Sequence, residues 1–360
     1  MKYEYGFANV KGISNKRKKE IADSITDFRM LYNIEEIDYK SVGIKPEEKD
    51  MIYQSLHCWD VENEYRKMQE KEIRCITMSN PEYPKRLKLL PGAPYALYVK
   101  GMLPAEDRKT VAIIGARSCS PYGENMARTF AEKLAEAGVE IISGMAVGVD
   151  SAGQRGALKA GGKSYAVLGS GVDICYPKEA FALYMDLSKN GGLISEYPIG
   201  TNPLKQHFPA RNRIISGLAD AILVIEAKER SGSLITVDMA LEQGKDVYAL
   251  PGPINSALSQ GCNRLIKQGA ELILSPEDLL EELGMRVAEM SDNKIRKKIV
   301  LETAEDMVYS CLDFRPQNLN DIMERAKMPV SQLLDILVSL ELRGLIKEIS
   351  KNYYAVVEGL

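Results

Sequence analysis

Four short segments of the sequence combine glycine with serine or arginine, and each follows an apolar run; they lie at residues 115–118, 143–150, 169–173 and 230–233. Glycine lets the backbone approach a ligand closely, and a helix that starts after such a segment offers unpaired N–H groups to an anion. Arg117 adds a positive charge to the first segment. For any one segment, a tight turn between a strand and a helix explains the glycines equally well. Because the carboxyl ends of parallel strands meet at one edge of a sheet, the four segments together favour a phosphate-binding crevice.

The densest group of basic side chains lies at residues 205–213, where Lys205, Arg211 and Arg213 accompany the aromatic Phe208. Cations and a ring so close together suit a nucleic-acid backbone with one base stacked on the ring. The alternative is the solvated start of a helix, with Phe208 in the hydrophobic core and the arginines paired with carboxylates. We expect at least one of the two arginines to have that structural role. The carboxylates available for such pairs are Glu196 and Glu226.

The sequence contains few residues in patterns that catalyse reactions. Its two histidines, His57 and His207, do not lie at a usable spacing from a second metal ligand. Neither a Gly-x-Ser-x-Gly turn nor a complete Gly-x-x-x-x-Gly-Lys-Ser/Thr phosphate loop is present. An acid–base pair could form from carboxylates near the predicted crevice, although such residues more often cap helices or fix loops; they are Asp150, Asp173, Glu196, Asp220 and Glu226. We therefore predict a binding protein without catalytic residues, metal ion or cofactor.

The composition excludes several classes of protein. Of the 360 residues, 45% are hydrophobic and 27% are charged, which is typical of a globular chain and not of a disordered one. The longest apolar run, residues 221–225, is too short for a membrane span, and the N-terminal residues lack the apolar region of a signal peptide. Six cysteines without a Cys-x-x-Cys pair argue against a zinc ribbon or a disulfide framework, so we expect a cytoplasmic protein. The net charge of -3 does not indicate a nucleic-acid partner, so that prediction depends on local clusters.

Short apolar runs alternate with amphipathic stretches in the middle of the chain. Twenty of the 28 glycines lie between residues 111 and 280, which marks this part as the ligand-binding domain. Near-continuous apolar strands separated by helices predict an α/β domain with a doubly wound, Rossmann-like parallel sheet that helices cover on both faces. The predicted strands are residues 111–114, 140–142, 165–168, 193–194, 221–225, 247–250 and 272–274.

The flanks differ from this middle domain in composition. Residues 1–70 are charge-dense and predict a small helical domain. The sheet domain takes residues 71–285, and its proline-rich lead-in at 72–101 is predicted to be irregular. A polar linker at 286–298 precedes residues 299–360, where two helical patterns and a hairpin pattern predict a winged-helix-like domain.

Residues 72–283 closely resemble the bacterial DNA-processing protein A family, which is also called DprA or Smf. Six short motifs fit the family in order and in spacing, and as a set they are specific. The matching motifs are residues 111–117, 143–150, 195–198, 208–213, 231–236 and 250–263, and the lead-in segments 81–84 and 97–101 also look like the family.

The resemblance implies an extended Rossmann fold that binds single-stranded DNA without sequence preference. It also implies a homodimer that loads a RecA-type recombinase onto incoming strands during natural transformation. By motif, phosphate binding falls on Arg117, and a basic loop falls on Lys205 with a base stacked on Phe208. The N-terminal flank resembles a sterile-alpha-motif or helix-hairpin-helix fold, and the C-terminal flank resembles a winged helix. Met145 stands where the family usually has a second glycine, and its smaller backbone freedom argues against direct phosphate contact by that loop.

The residue patterns and the resemblance together predict which residues contact DNA. These residues come from the glycine segments and from the basic cluster. They include no catalytic residue and no metal ligand. The predicted contacts are Gly115, Arg117, Ser143, Gly144, Gly169, Lys205, Phe208, Arg211, Asn212, Arg213, Arg230, Ser231, Gly232 and Ser233.

Two other functions remain as alternatives. The first is a nucleotide-binding hydrolase, because lysine-decarboxylase-like phosphoribohydrolases have a related fold. Their Pro-Gly-Gly-x-Gly-Thr turn is not matched by residues 230–233, the nearest equivalent. The second is a winged-helix transcription factor, which would depend on the C-terminal domain alone. That domain mixes basic with acidic residues and suits duplex DNA poorly: Arg325, Lys327 and Arg343 stand beside Asp321, Glu324, Asp335 and Glu341.

Overall fold

The computed structural model describes residues 2–35, 38–285, 303–313 and 316–356. The chain divides into two compact units, Met1–Val287 and Ala288–Leu360, and each is described by itself. Among the described residues, no helix has the length and apolar character needed to cross a membrane.

The larger unit begins with short helices, as the composition predicts for this part of the chain. The second helix starts where the oxygen of the Ser14 side chain accepts a hydrogen bond from the backbone N–H of Arg17. These helices share a hydrophobic core with Tyr95 and Ala96, which belong to the sheet region. The helices are α1 (Lys2–Ala8), α2 (Asn15–Ser24), a 3-10 helix (Phe28–Asn33), α3 (Pro46–His57) and α4 (Val61–Glu70).

A nine-stranded sheet forms the centre of the larger unit. Its strands are β1 (Ile73–Thr77), β2 (Ala96–Gly101), β3 (Thr110–Ile114), β4 (Glu140–Ser143), β5 (Ser164–Val167), β6 (Gly192–Ser195), β7 (Ala221–Val224), β8 (Asp246–Ala249) and β9 (Glu271–Leu272). Their order across the sheet is β1-β2-β6-β5-β4-β3-β7-β8-β9. Neighbouring strands from β6 to β9 pair in parallel, whereas β2 pairs antiparallel with both β1 and β6.

Helices cover both faces of this sheet. Every residue of β3, β4, β5, β6 and β7 is buried, as the near-continuous apolar runs predict. The predicted α/β fold with a doubly wound, largely parallel sheet is confirmed. The helices are α5 (Lys85–Lys88), α6 (Pro121–Glu136), α7 (Val149–Lys159), a 3-10 helix (Lys178–Ala180), α8 (Phe181–Asn190), α9 (His207–Leu218), α10 (Gly232–Glu242), α11 (Gln260–Lys267) and α12 (Pro276–Glu282).

The strand order reverses at β3. The chain adds β4, β5 and β6 on one side of β3 and then adds β7, β8 and β9 on the other side. Such a reversal separates the loops that follow the two central strands and leaves a crevice at their carboxyl ends. The segments 115–118 and 230–233, which follow β3 and β7, therefore lie on either side of this crevice.

The prediction that residues 72–101 are irregular is wrong. This segment contains β1 and β2, which extend the sheet by an antiparallel pair beside β6. The four prolines that suggested irregular structure, at positions 81, 84, 91 and 94, all fall in the connection between the two strands. Proline is tolerated there because the connection donates no ladder hydrogen bonds.

The smaller unit has its own hydrophobic core, formed by residues such as Val308, Ile322, Leu333 and Leu340. A three-stranded antiparallel sheet in the order β10-β12-β11 packs with three helices, which is the predicted winged-helix layout. The predicted linker at 286–298 lies outside the described residues. The elements are α13 (Thr303–Ser310), β10 (Gln317–Asn318), α14 (Leu319–Ala326), α15 (Val330–Leu342), β11 (Ile346–Ser350) and β12 (Tyr353–Val356).

Candidate nucleic-acid interface

A cleft of about 630 Å³ lies at the carboxyl edge of the sheet. Residues that follow β3, β4, β5, β6 and β7 all line it. Of the four predicted segments, 115–118, 143–150 and 230–233 contribute lining residues, whereas 169–173 contributes none. Ten of the fourteen predicted DNA contacts line this cleft; they are Gly115, Arg117, Lys205, Phe208, Arg211, Asn212, Arg230, Ser231, Gly232 and Ser233.

Buried Glu226 fixes the loop that presents Arg117. Its carboxylate accepts hydrogen bonds from the backbone N–H of Ser120 at 2.8 Å and from the Ser120 hydroxyl at 2.6 Å. Its backbone oxygen accepts from the N–H of Ala116 at 2.7 Å. A Cβ atom at Gly115 would lie 2.8 Å from that same oxygen, so the loop needs glycine for this close approach. Glu226 therefore has a structural role, and the fixed loop leaves Arg117 exposed in the cleft.

Phe208 lies beside Arg117 and is partly exposed rather than part of the core. The guanidinium carbon of Arg117 is 5.8 Å from the centre of the Phe208 ring, a cation–π distance. The ring packs over Gly169, where an added Cβ would lie 3.0 Å from Phe208 Cδ1. Gly169 does not line the cleft, so its role is to support the Phe208 ring from within the protein.

Lys205, where the resemblance placed a basic loop, lies with Gln206 in a turn before α9. The residues from His207 to Arg213 lie within the first two turns of the helix, as the alternative of a helix start predicted. Pro209 is compatible with this position because the first N–H groups of a helix have no partner within the helix. His207 stacks on Tyr197 with the ring centres 4.0 Å apart.

Arg211 is buried, with 5% of its surface exposed. Its guanidinium group donates hydrogen bonds to the backbone oxygen of Gly144 at 3.1 Å and to that of Val167. Burial lowers the pKa of Arg211 to about 10, and the negative charge of buried Asp150 partly opposes this shift. The group therefore keeps its charge at neutral pH. A Cβ at Gly144 would lie 2.6 Å from this guanidinium group, so the contact requires glycine.

Arg213 is also engaged by the protein. Its guanidinium group forms a two-point ion pair with Glu196, with N–O distances of 2.8 and 2.6 Å. A third hydrogen bond goes to the backbone oxygen of Gly92. These contacts argue against the prediction that Arg211 and Arg213 hold phosphates, because both guanidinium groups are occupied. The structural role that we expected for at least one arginine applies to both.

Four exposed cations remain at the cleft: Arg117, Lys205, Lys228 and Arg230. Within the part of the chain that the structure describes, none of them forms an ion pair. The sequence patterns did not single out Lys228. A usable signal was present, because Lys228 follows the strand at 221–225 as Arg117 follows the strand at 111–114.

The start of α10, which follows β7, forms one wall of the cleft. The Ser231 hydroxyl caps this helix and accepts a hydrogen bond from the N–H of Ser233 at 3.4 Å. Ser231, Gly232 and Ser233 all line the cleft. The wall thus has the predicted anion-binding arrangement, with Lys228 and Arg230 beside it.

The second segment, at 143–150, lies mostly beneath the cleft. The Ser143 hydroxyl is buried and donates to the backbone oxygen of Ile113 at 2.7 Å. Ser143 and Gly144 do not line the cleft, whereas Ala146 and Asp150 do. Met145 adopts a left-handed φ of 54° although it lacks the freedom of glycine, and its side chain is fully buried. Burial of the thioether in the core offsets the cost of this conformation.

The remaining carboxylates that could act as acid or base also have protein donors. Asp173 accepts from the Lys71 ammonium group at 2.7 Å and from the N–H of Gly200 at 2.9 Å. Asp220 accepts from the N–H of Thr110 at 2.8 Å. Asp150 accepts from the N–H of Gly144 at 3.1 Å, and burial raises its pKa. Within the described ranges, no group of three or more histidine, cysteine or acidic residues is arranged to hold a metal ion.

Comparisons with known proteins show the family of the chain. Residues 74–284 match the family model described as DNA recombination-mediator protein A, and residues 296–350 match the DprA winged helix domain. The chain belongs to the DNA recombination-mediator protein A family. Protein Smf of Escherichia coli strain K12 is 38% identical over 308 residues, which cover 83% of this chain and 80% of that protein.

Solved structures of the family resemble the chain as well. The X-ray structure of DNA processing protein A from Streptococcus pneumoniae superimposes with a TM-score of 0.67 at 34% identity, covering 78% of this chain and 98% of that one. A structure of DNA processing protein A from Helicobacter pylori, which concerns the single-stranded DNA binding mode of that protein, has a TM-score of 0.53 at 30% identity. It covers 58% of this chain and 95% of the Helicobacter pylori chain.

The different roles of the arginines give a prediction about stability. Replacing Arg211 with methionine leaves buried Asp150 and two backbone oxygens without their cation, so we expect a loss of about 3–5 kcal/mol in the free energy of unfolding. Arg117→Ala, which changes an exposed side chain, should stay within about 0.5 kcal/mol of the original protein. Urea unfolding followed by circular dichroism measures both. An Arg211→Met variant of unchanged stability would contradict the structural role.

Proposed function

We propose that the protein binds single-stranded DNA in the cleft and is a non-catalytic recombination mediator that loads a RecA-type recombinase onto the bound strand. The observation that supports this most strongly is the set of cations at the cleft that form no ion pair with any described residue, beside a partly exposed aromatic ring. Cations that track a backbone and rings that stack bases are the two components of single-strand binding. A cation without a carboxylate partner is available to a phosphate.

The same components support binding without sequence preference. Phosphate contacts position a nucleic acid but do not read its sequence, and every base offers a face for stacking. Stacking on Phe208 requires a base that has left its neighbours, which a single strand provides at low cost and a duplex does not. We therefore assign phosphate binding to Arg117, Lys205, Lys228 and Arg230, together with the start of α10. Arg211 and Arg213 position α9.

Features outside the cleft support the proposed partners. The family description as a recombination mediator supports a recombinase partner, and the resemblance adds natural transformation as the setting.

For the proposed homodimer, the support comes from β9 at the end of the sheet. Leu272 and Leu274 are exposed there, and exposed Leu241 lies beside the same edge. Exposed apolar side chains near an unpaired strand edge are typical of a contact with another chain.

The exposed surface of the winged-helix unit does not support the function of a transcription factor. In this fold, α15 occupies the position of the helix that enters the major groove of duplex DNA. Its exposed face has an apolar stripe at Val330, Leu334, Val338 and Leu342, with exposed Asp335 beside it. A helix that reads duplex DNA needs basic and hydrogen-bonding side chains on this face.

The proposal that the protein is not an enzyme gives a second prediction. Because the carboxylates at the crevice are engaged by protein donors, the purified protein should convert neither nucleotides, nucleoside monophosphates nor DNA into products. Chromatography of long incubations measures this, with buffer alone as the reference. Sustained turnover that is lost in Glu196→Ala or Glu226→Ala would favour the nucleotide hydrolase instead.

The proposed phosphate contacts predict the salt dependence of binding. With about four phosphates neutralised, a plot of log K against log salt for single strands should have a slope near -3, at roughly 0.7 per contact. Lys205→Ala should weaken binding to all sequences similarly and reduce the slope by about 0.7. Fluorescence anisotropy with labelled oligonucleotides measures both quantities.

Two further variants complete this test. Lys189→Ala is the matched control, because Lys189 is exposed at the end of α8, next to the start of β6 and so at the opposite edge of the sheet. It should leave the slope unchanged. If a folded Arg117→Ala, Lys205→Ala double variant binds single strands as tightly as the original protein at physiological salt, the proposed site is wrong.

A further inference from the structure

Tyr176 is an aromatic residue in the cleft that neither the sequence patterns nor the proposed contacts include. It lies in the loop between β5 and α8, lines the cleft and has 47% of its surface exposed. Its ring centre is 5.5 Å from that of Phe208. Large aromatic side chains usually bury most of their surface, so a half-exposed ring inside a cleft requires an explanation.

The loop that presents Tyr176 is fixed on several sides. The N–H of Gly171 donates to the backbone oxygen of Thr201 at 2.9 Å, and the Tyr184 hydroxyl donates to the backbone oxygen of Val172 at 2.7 Å. The Asp173 carboxylate accepts a hydrogen bond from the Lys71 ammonium group at 2.7 Å. These contacts fix the backbone at residues 171–173, and the Tyr176 ring itself packs against Phe208, which lowers the entropic cost of binding to the ring.

The two rings are not parallel. The planes of Tyr176 and Phe208 are tilted by 38° to each other, so they offer two differently oriented surfaces. Bases in a duplex are parallel and already stacked on both faces, so they cannot follow such a tilt. A single strand can, because rotation about its backbone lets neighbouring bases turn independently.

We propose that Tyr176 is a second stacking platform, and that Tyr176 and Phe208 each bind one unpaired base of the same DNA strand. The tilted pair then contributes to the preference for single-stranded over duplex DNA, which the cations alone do not provide because both forms have phosphates. This inference rests on the proposed function of the cleft and adds to it the residue that discriminates between the two forms of DNA.

Three variants of Tyr176 test the proposal: Tyr176→Phe, Tyr176→Leu and Tyr176→Ala. Phenylalanine keeps the ring, leucine keeps apolar bulk beside Phe208 without a π-face, and alanine removes both. Each is titrated with an oligothymidine of about twelve nucleotides and with a duplex of the same length at the same salt concentration.

We expect Tyr176→Phe to bind like the original protein. Tyr176→Leu and Tyr176→Ala should bind the oligothymidine about 5- to 100-fold more weakly, the effect of losing one stacked base, and should bind the duplex almost unchanged. The single-strand preference then falls by the same factor. Equal losses for both forms of DNA, or a Tyr176→Leu variant that binds like the original, would overturn the proposal.

A second measurement does not depend on the stability of the alanine variant. An oligonucleotide with one 2-aminopurine reports stacking by loss of fluorescence. Because binding has no sequence preference, the quenching is averaged over all positions of this base along the strand. The average should be the same with the original protein and with Tyr176→Phe, and it should fall with Tyr176→Leu. Undiminished average quenching in Tyr176→Leu contradicts the proposal. Failure of the function itself has a different signature, because the Arg117→Ala, Lys205→Ala double variant would then still bind DNA.

Discussion

The guanidinium group of Arg211 joins three parts of the larger unit. It extends from α9 to the backbone oxygens of Gly144, after β4, and Val167, at the end of β5, with the charge of Asp150 nearby. A buried charge is costly unless hydrogen bonds and an opposite charge surround it, so this position is strongly determined. Because Phe208 precedes Arg211 by one turn of the same helix, the contact also determines where the aromatic ring stands in the cleft.

The charged side chains at the cleft divide into two groups according to their partners. Arg211, Arg213 and Glu226 bind protein groups and hold the loops in place. Arg117 and Lys205 are exposed and have no ion pair within the described residues. The residues that hold the loops in place strengthen phosphate binding by the exposed cations, because a cation on a fixed loop loses little freedom when it binds a phosphate. This division explains how a chain with a net charge of -3 forms a local site for a polyanion.

Much of the fold can be predicted from the sequence, because buried parallel strands are continuous apolar runs. The runs at 111–114 and 221–225 correspond closely to β3 and β7, and their glycine-containing loops converge as predicted. The antiparallel strands β1 and β2 were not predicted, because the prolines between them suggested irregular structure. The helical start of α9 was an alternative for residues 205–213, and the sequence alone did not decide between it and a nucleic-acid contact.

The roles of single residues within the site were harder to predict, because they depend on partners distant in the chain. Arg213 pairs with a carboxylate 17 positions away, and Arg211 binds an oxygen 67 positions away. The sequence offered Glu196 as a partner for one of the arginines without showing which one, and it gave no sign of the contact with Gly144. For Met145, the sequence suggested that its side chain restricts the backbone. The fold nevertheless buries this side chain and imposes the left-handed backbone that glycine would adopt. Tyr176 required the structure, since only the tertiary fold brings it to Phe208.

Photochemical crosslinking tests most directly whether single-stranded DNA occupies this cleft. An oligonucleotide with 5-iododeoxyuridine is bound to the full-length protein and irradiated, and the attached peptides are identified by mass spectrometry. Because this base crosslinks to an aromatic ring on which it stacks, we expect attachment at Phe208. Crosslinks confined to the winged-helix unit, with none in the peptides that line the cleft, would contradict it.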